Sequence, residues 1–308
     1  MGLDSKKKIL SQGAGFDAAE NFDNKKYSGG SAGQTITGAG FQPDLIIGKR
    51  LDNTEHWFVV DVARTGSMFT TLANTEISFR YVTPNADGFV VNGTGGVHNT
   101  GSLIAYCWKG GGSTVTNNDG DITSNVSANV EGGGLSQAPE FVVYKTYSGS
   151  NADEWYHVFY DGSNYKTGYW SYNFGLFNQT NSFTSTTVQT YLTTTQNVVA
   201  YCFHSVPGFQ KIGQYTASNS WGSSISIDVG FPPRFVMVKS ISNAGDWMIL
   251  DDERVTSGKQ DRHYINQRFA SASDTSSSFS GNTFNITFGS TGNQGTANSS
   301  KYFYWAMA

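Results

Sequence analysis

The apolar residues of this chain fall in short runs separated by stretches rich in Gly, Asn, Asp, Ser and Thr. No stretch repeats its apolar positions at helical spacing over several turns. Leu45-Ile46-Ile47, Phe141-Val142-Val143 and Phe235-Val236-Met237-Val238 are continuous apolar runs, and a short continuous run implies a strand buried on both faces. Ile104, Tyr106 and Trp108 alternate along one strand face, and Trp170, Tyr172 and Phe174 along another. The pattern predicts an all-β chain of short strands joined by turns, with almost no helix.

The continuous runs belong to a unit that occurs three times: Pro43-Asp-Leu-Ile-Ile-Gly-Lys49, Pro139-Glu-Phe-Val-Val-Tyr-Lys145 and Pro233-Arg-Phe-Val-Met-Val-Lys239. The copies start 96 and 94 residues apart (139 − 43 and 233 − 139). Each is followed by a Trp (Trp57, Trp155, Trp247), an Asp (Asp61, Asp161, Asp251), an Asn (Asn74, Asn173, Asn266) and a closing apolar strand. The first two closing strands contain Ala105-Tyr-Cys-Trp108 and Ala200-Tyr-Cys-Phe203; the third is Tyr302-Phe-Tyr-Trp-Ala-Met307. Lys-to-Trp spacings of 8, 10 and 8 and Trp-to-Asp spacings of 4, 6 and 4 keep the copies in phase.

The expected organisation is an N-terminal anchoring arm at 1–26, a first repeat at 27–112, a linker hairpin with a second repeat at 113–208, and a third repeat at 209–308. At this period each repeat has the size of a small β-sandwich of jelly-roll type, and propeller blades are shorter. The arm, with Lys6, Lys7, Lys8, Phe16 and Phe22, is expected to dock on a neighbouring protein. Asp-Gly within Val115–Ser124 and Pro207-Gly208 mark turns in the linkers, which are too short to be floppy, so the repeats are expected to pack on one another.

Composition narrows the function. Charged residues make up 14% of the chain and the net charge is −4, with no basic cluster beyond Lys6-Lys7-Lys8, which argues against a nucleic-acid face. No apolar run is long enough to span a membrane, and the first residues lack the apolar core of a signal peptide, which points to synthesis in a cytoplasm. Cys107 and Cys202 are equivalent positions of successive repeats and are expected to be unlinked, buried thiols.

No nucleophile, base or metal motif at workable spacing occurs among the five histidines or elsewhere, so neither an enzyme nor a cofactor is expected. The recurring Asp61, Asp161 and Asp251 read better as turn caps bonding backbone amides than as ligands of calcium or sugar; the Asn set reads as turn residues and the Trp set as core. Asp251-Asp252-Glu253 has two extra acids and is a candidate calcium turn, weighed against a solvated one. In the aromatic-dense segment 155–177 and its surroundings, Tyr147, Tyr165 and Tyr169 are the candidates for stacking on a sugar.

The apolar strand ending in Lys, the Trp-then-Asp pair, Ala105-Tyr-Cys-Trp-Lys-Gly-Gly-Gly112 with the following Val115–Asn129, and the opening Met1-Gly-Leu-Asp-Ser-Lys-Lys-Lys8 resemble repeats of tail-fibre-like structural proteins of tailed bacteriophages. The resemblance covers nearly the whole chain and carries no catalytic residue. It implies a virion protein with lectin-like β-sandwich repeats, a homotrimer, synthesised in the host cytoplasm and held to other virion proteins through its arm. The implied role is a tail fibre or receptor-binding component adhering to a host-surface glycan. Two rivals remain open at this point: a capsid-decoration or tail-attachment protein without ligand, and a polysaccharide depolymerase.

Overall fold

The computed structural model describes residues 18–72, 76–93, 101–110, 115–119, 124–126, 137–148, 154–180, 182–190, 197–217, 223–272, 277–287 and 300–308. Three five-stranded antiparallel sheets, one from each repeat, form the body of the molecule. In spatial order the first holds Phe22–Gly29, Gly101–Trp108, Leu45–Arg50, Phe58–Asp61 and Met68–Phe69. The second holds Phe177–Gln179, Tyr165–Tyr169, Tyr156–Tyr160, Phe141–Ser148 and Asn197–Phe203. The third holds Gln210–Thr216, Lys301–Met307, Phe235–Ser240, Met248–Asp251 and His263–Tyr264. The one helical element among the described residues is a 3₁₀ turn at Ala18–Glu20.

The strand of the repeated unit lies in the interior of every sheet. It begins two residues after its proline, so the missing proline N–H costs the ladder nothing. Its register puts the repeats in correspondence. Ile47 faces Val59 and Tyr106, Val143 faces His157 and Tyr201, and Met237 faces Ile249 and Trp305. Tyr106, Tyr201 and Trp305 are therefore one structural position, and so are Val59, His157 and Ile249.

Alternation along these strands sends the two faces of each sheet to different cores. Leu45, Ile47, Trp57 and Tyr106 of the first repeat, Phe141, Val143, Trp155 and Phe159 of the second, and Phe235, Met237, Trp247 and Trp305 of the third belong to one buried cluster. The three sheets thus stand as walls around a common centre. Ile46, Val60 and Cys107 point outward, into a second core under the small sheet of Thr35–Ile36, Gly88–Val91 and Val82–Asn85. Val236, Leu250 and Ala306 do the same under Ser224–Asp228, Thr283–Thr287 and Ser277–Ser280. Burial on both faces is what the continuous apolar runs required.

Two boundaries differ from the sequence expectation. Phe22–Gly29 pairs along its whole length with Gly101–Trp108, and Phe22 is fully buried with its ring 5.3 Å from that of Trp108 and 5.8 Å from that of Phe235. Residues 22–26 are thus the first strand of the first repeat, and Phe22 anchors the chain to its own core instead of a neighbour's. Lys6, Lys7, Lys8 and Phe16 lie outside the described residues. Tyr172 and Phe174 also leave the face expected for them: the strand ends at Tyr169, Trp170 turns into the central core, and the other two stand on the loop beyond.

Candidate functional site

The walls meet in three seams, and equivalent residues build each. Beyond each lysine, a backbone carbonyl accepts an amide from the preceding repeat around the ring. Glu76 N donates to Tyr147 O (3.0 Å), Leu176 N to Ile241 O (3.1 Å) and Ser271 N to Leu51 O (2.8 Å). The ring closes, because the first repeat receives from the third. Lys49 Nζ donates to Glu55 O in its own repeat and to Arg268 O in the third (2.8 Å). Lys239 Nζ donates to Phe174 O (2.8 Å) and Asn173 O (3.3 Å) in the second. Burial pushes the Lys49 ammonium down to about 7 and that of Lys239 down to about 8. In the first and third repeats the recurring lysine is thus a clamp on the neighbour's carbonyls.

Deeper in the seam sits the repeated aspartate. Asp61 Oδ1 accepts the Ala63 amide (2.9 Å), Asp161 Oδ1 those of Ser163 (2.9 Å) and Asn164 (2.7 Å), and Asp251 Oδ1 that of Arg254 (3.0 Å). All three are the turn caps that their recurrence suggested. In the second repeat the other carboxylate oxygen pairs with Lys166 of the same wall (3.4 Å), and in the other two it reaches across the seam. Arg64 Nε donates to Asp61 Oδ2 (2.8 Å), which also accepts from Tyr201 Oη of the second repeat. Arg254 Nε donates to Asp251 Oδ2 (2.6 Å), which accepts from Tyr106 Oη of the first repeat (2.6 Å). Burial pushes both tyrosines well above their ordinary range, so each remains a phenol donor. In the second repeat Asn164 stands where the arginine is, and Trp305 of the third repeat stands where the tyrosine is. Arginine and tyrosine are replaced together, so the seam between the second and third repeats has no such lock.

The central tryptophans follow the same division. Trp57 Nε1 donates to Tyr264 O and Trp155 Nε1 to Phe69 O, each across a seam at 2.8 Å. Trp247 Nε1 has no partner among the described residues. Its neighbour in that seam is His157, whose ring centroid lies 4.4 Å away at a steep angle and whose two nitrogens are also unpaired. Aromatic packing takes over: Phe141 lies 4.9 Å from Phe303 and 5.5 Å from Trp305, and Phe203 lies 4.4 Å from Trp305.

The calcium candidates do not gather into a site. Asp251 is buried and both its oxygens are committed to Arg254 and Tyr106, while Asp252 pairs with Arg234 (3.1 Å) and Asn24 (2.7 Å). Glu253 is exposed, its carboxyl pushed up by partial burial and the charge of Asp252. Among the described residues no three His, Cys, Asp or Glu side chains are grouped to hold a metal. The Asn set is not equivalent either. Asn173 lies four residues past Tyr169 and Asn266 two past Tyr264, although Tyr169 and Tyr264 are equivalent; Asn74 lies outside the described residues. Asn266 Oδ1 accepts the Trp247 amide (2.9 Å), so it braces the core tryptophan of its own repeat.

The sugar candidates divide between the faces of the second wall. Tyr147 is half-buried against the central core, with the Arg64 guanidinium 6.0 Å over its ring. Tyr165 and Tyr169 belong to the outer face, which differs from the other two. Gly48 of the first repeat, where a Cβ would meet the Phe58 ring at 2.3 Å, is Tyr144 here, stacked on Tyr156 with centroids 5.2 Å apart and 7° between planes. The rings continue from Tyr156 to Tyr169 (5.1 Å), Tyr172 (5.7 Å) and Phe174 (5.3 Å). Tyr144 is fully buried, whereas Tyr172 is 41% and Phe174 61% exposed; Tyr160 and Phe177 on the same side are each 48% exposed. Beside this row Glu154 accepts from Tyr172 Oη (2.9 Å) and from Ser171 Oγ, which fixes the loop that carries the outermost rings. Tyr172, Phe174 and Glu154 were missed by the sequence reading; the signal available was the aromatic density of 155–177.

Comparison with known proteins adds one relation. No curated protein and no solved structure matches the chain. The domain of unknown function DUF7483 matches it twice, over residues 17–137 and 131–308, the second match taking in the whole of the second and third walls. Together the matches span the three walls, and the chain belongs to the DUF7483 family.

Proposed function

We propose that this chain is a structural protein of a bacteriophage virion, a tail-fibre or receptor-binding component that adheres to a glycan on the host surface. Each repeat would be a small lectin-like sandwich, and the binding surface would be the tyrosine face of the second. The observation that carries the reading is the aromatic row Tyr169–Tyr172–Phe174, exposed at its outer two rings, beside the Glu154 carboxylate. Flat rings stack on the C–H faces of a sugar, tyrosine hydroxyls and a carboxylate bond its hydroxyl groups, and an exposed apolar cluster of this kind marks a binding surface. The resemblance of the repeats to tail-fibre-like proteins supplies the setting. Many copies on one particle would multiply a weak individual affinity, and a homotrimer is the assembly proposed with it.

The test is a glycan array together with titration of host lipopolysaccharide and capsule fragments, using the full chain and the variants Tyr172→Ala and Phe174→Ala. Binding of at least one glycan, weakened at least tenfold by each variant, supports the reading. An array without a binder overturns glycan adhesion and leaves a decoration or tail-attachment role. Released oligosaccharide in the same incubation overturns the non-enzymatic reading.

A further inference from the structure

The seam between the second and third repeats differs from its two counterparts in three independent respects. It lacks the arginine–aspartate–tyrosine lock, its central Trp247 indole has no carbonyl partner, and it buries a histidine where the other walls have Val59 and Ile249. It also holds the loop of the aromatic row. Lys239 grips the carbonyls of Asn173 and Phe174, Gly245 N donates to Asn173 O (2.7 Å), and Leu176 N donates to Ile241 O.

We propose that this seam is an acid-sensitive latch: protonation of His157 loosens it ahead of the other two and frees the Ser171–Leu176 loop. His157 is fully buried and both its ring nitrogens are without partners among the described residues, so an imidazolium there would carry two unpaired N–H donors in an apolar centre. Among the described residues its surroundings offer no counter-charge. Val143 flanks it on one side and Gly168 on the other, Trp247 faces it from the third repeat, and the one charge that acts on it is the like charge of Lys239. The Trp247 ring supplies a cation–π contact, which does not replace two hydrogen bonds to a buried cation. Burial, with Lys239 adding to it, holds the imidazole well below its usual range. Acid therefore acts on the seam that, among the described residues, has neither the buried ion lock nor an indole-to-carbonyl bond.

His263 is the nearest comparison, since it is buried in the seam between the third and first repeats against Trp57. Burial, Arg254 and Lys49 depress it too, but one of its nitrogens meets Phe269 O (3.2 Å), and its seam keeps both the Asp251–Arg254–Tyr106 lock and the Trp57 bond.

The loop's role in binding rests on the function proposed above; the latch itself does not, and the experiment reads it without a ligand. Amide hydrogen exchange of the full chain is followed from pH 7.5 to pH 4.5, after correction for the chemical exchange rate. The expected result is that protection of Leu176 and Gly245 falls first, by up to about tenfold per pH unit as one proton is taken up. Glu76, Ser271 and Glu55, whose amide donates to Arg268 O of the third repeat (2.9 Å), stay protected. His157→Val, which places in the second wall the residue of the first, should abolish the selective loss, and His157→Leu serves if the valine variant does not fold. Equal loss in all three seams, earlier loss at Glu55 and Ser271, or an acid response unchanged in both variants would overturn the latch. A latch without glycan binding would leave this inference standing and remove the function; binding without a latch would do the reverse.

Discussion

The seams on either side of the first wall and the one opposite it solve the same geometric problem with different physics. The first two bury an ion pair with a tyrosine donor from the next repeat and satisfy the central indole with a carbonyl. The third buries aromatic rings and leaves an indole and an imidazole unpaired among the described residues. A lock of ions demands that every partner be present, because a buried charge without its counter-ion is costly. An aromatic seam has no such requirement and tolerates each member separately. The arginine and the tyrosine are accordingly both present or both absent within this one chain. An Arg facing Trp305, or a Tyr facing Asn164, would be a half-built network worse than either complete solution.

The strongest way to break this comparison is to remove one arginine. Arg64→Ala or Arg254→Ala leaves Asp61 or Asp251 buried and unpaired and should cost about 3–5 kcal/mol. Asn164→Ala, at the equivalent and exposed position, should fall within about 0.5 kcal/mol of the parent. Denaturant unfolding of the three variants decides it; comparable losses would mean that the locks are not what separates the seams. The hydroxyl is the smaller half of the lock. Tyr106→Phe and Tyr201→Phe each remove a donor to a charged group without leaving a cavity, and each should cost about 1.5–3 kcal/mol in the same measurement.

Acid should sharpen the contrast. His157 and His263 are both held below the ordinary histidine range in the folded chain. Above about pH 6.5 both states are uncharged at these positions and stability does not respond to them. Below it the unfolded chain takes up protons that the native chain refuses, so stability falls with falling pH, by up to about 1.4 kcal/mol per pH unit for each histidine. His157→Val and His263→Met, which install the first wall's Val59 and Met68, should each flatten the slope of unfolding free energy against pH by that amount between pH 6 and pH 5. An unchanged slope would mean that the two rings are hydrated in the folded state.

The repeat itself was fully legible, because three copies of a Pro-to-Lys unit followed by Trp and Asp leave little freedom of phase. Its strand proved interior and buried on both faces, as continuous apolar runs demand. The closure of the walls into a ring was not legible. Nothing in a linear sequence separates a residue buried in its own sandwich from one buried against the next repeat: Trp57 and Ile46 both read as core, yet they face different cores. The tyrosine face was half visible. Aromatic density points to 155–177, but exposure is a property of the covering sheet, so the sequence singles out Tyr147 and places Tyr172 and Phe174 on a strand. The seam lock left a trace that only the register decodes. Arg64 and Arg254 follow their aspartates by three residues and Asn164 does not, but the correlated Tyr-to-Trp change becomes a signal only once Tyr106, Tyr201 and Trp305 are one position.

That correlation gives the smallest and most discriminating expectation. If the arginine and tyrosine form one unit, transplanting them into the aromatic seam should reveal a coupling that neither shows alone. Trp305→Tyr loses packing against Trp108, Phe141, Phe203 and Phe235 and the bond from its indole to Gln210 Oε1 (2.9 Å), so it is destabilising by itself. Asn164→Arg alone puts a guanidinium next to Asp161 with no phenol to complete the set. Made together, the two substitutions give Asp161 the guanidinium and the phenol that Asp61 and Asp251 have in the other two seams, and the double-mutant cycle should return a favourable coupling of about 1 kcal/mol. A coupling of zero would mean that Gly162, which holds a left-handed backbone (φ 89°) in the turn after Asp161, aims the new guanidinium away from the seam. The turn, and not the pair, would then be what distinguishes the second wall from its neighbours, and replacing 162–164 with the Val-Ala-Arg of the first repeat would be the change that restores the lock.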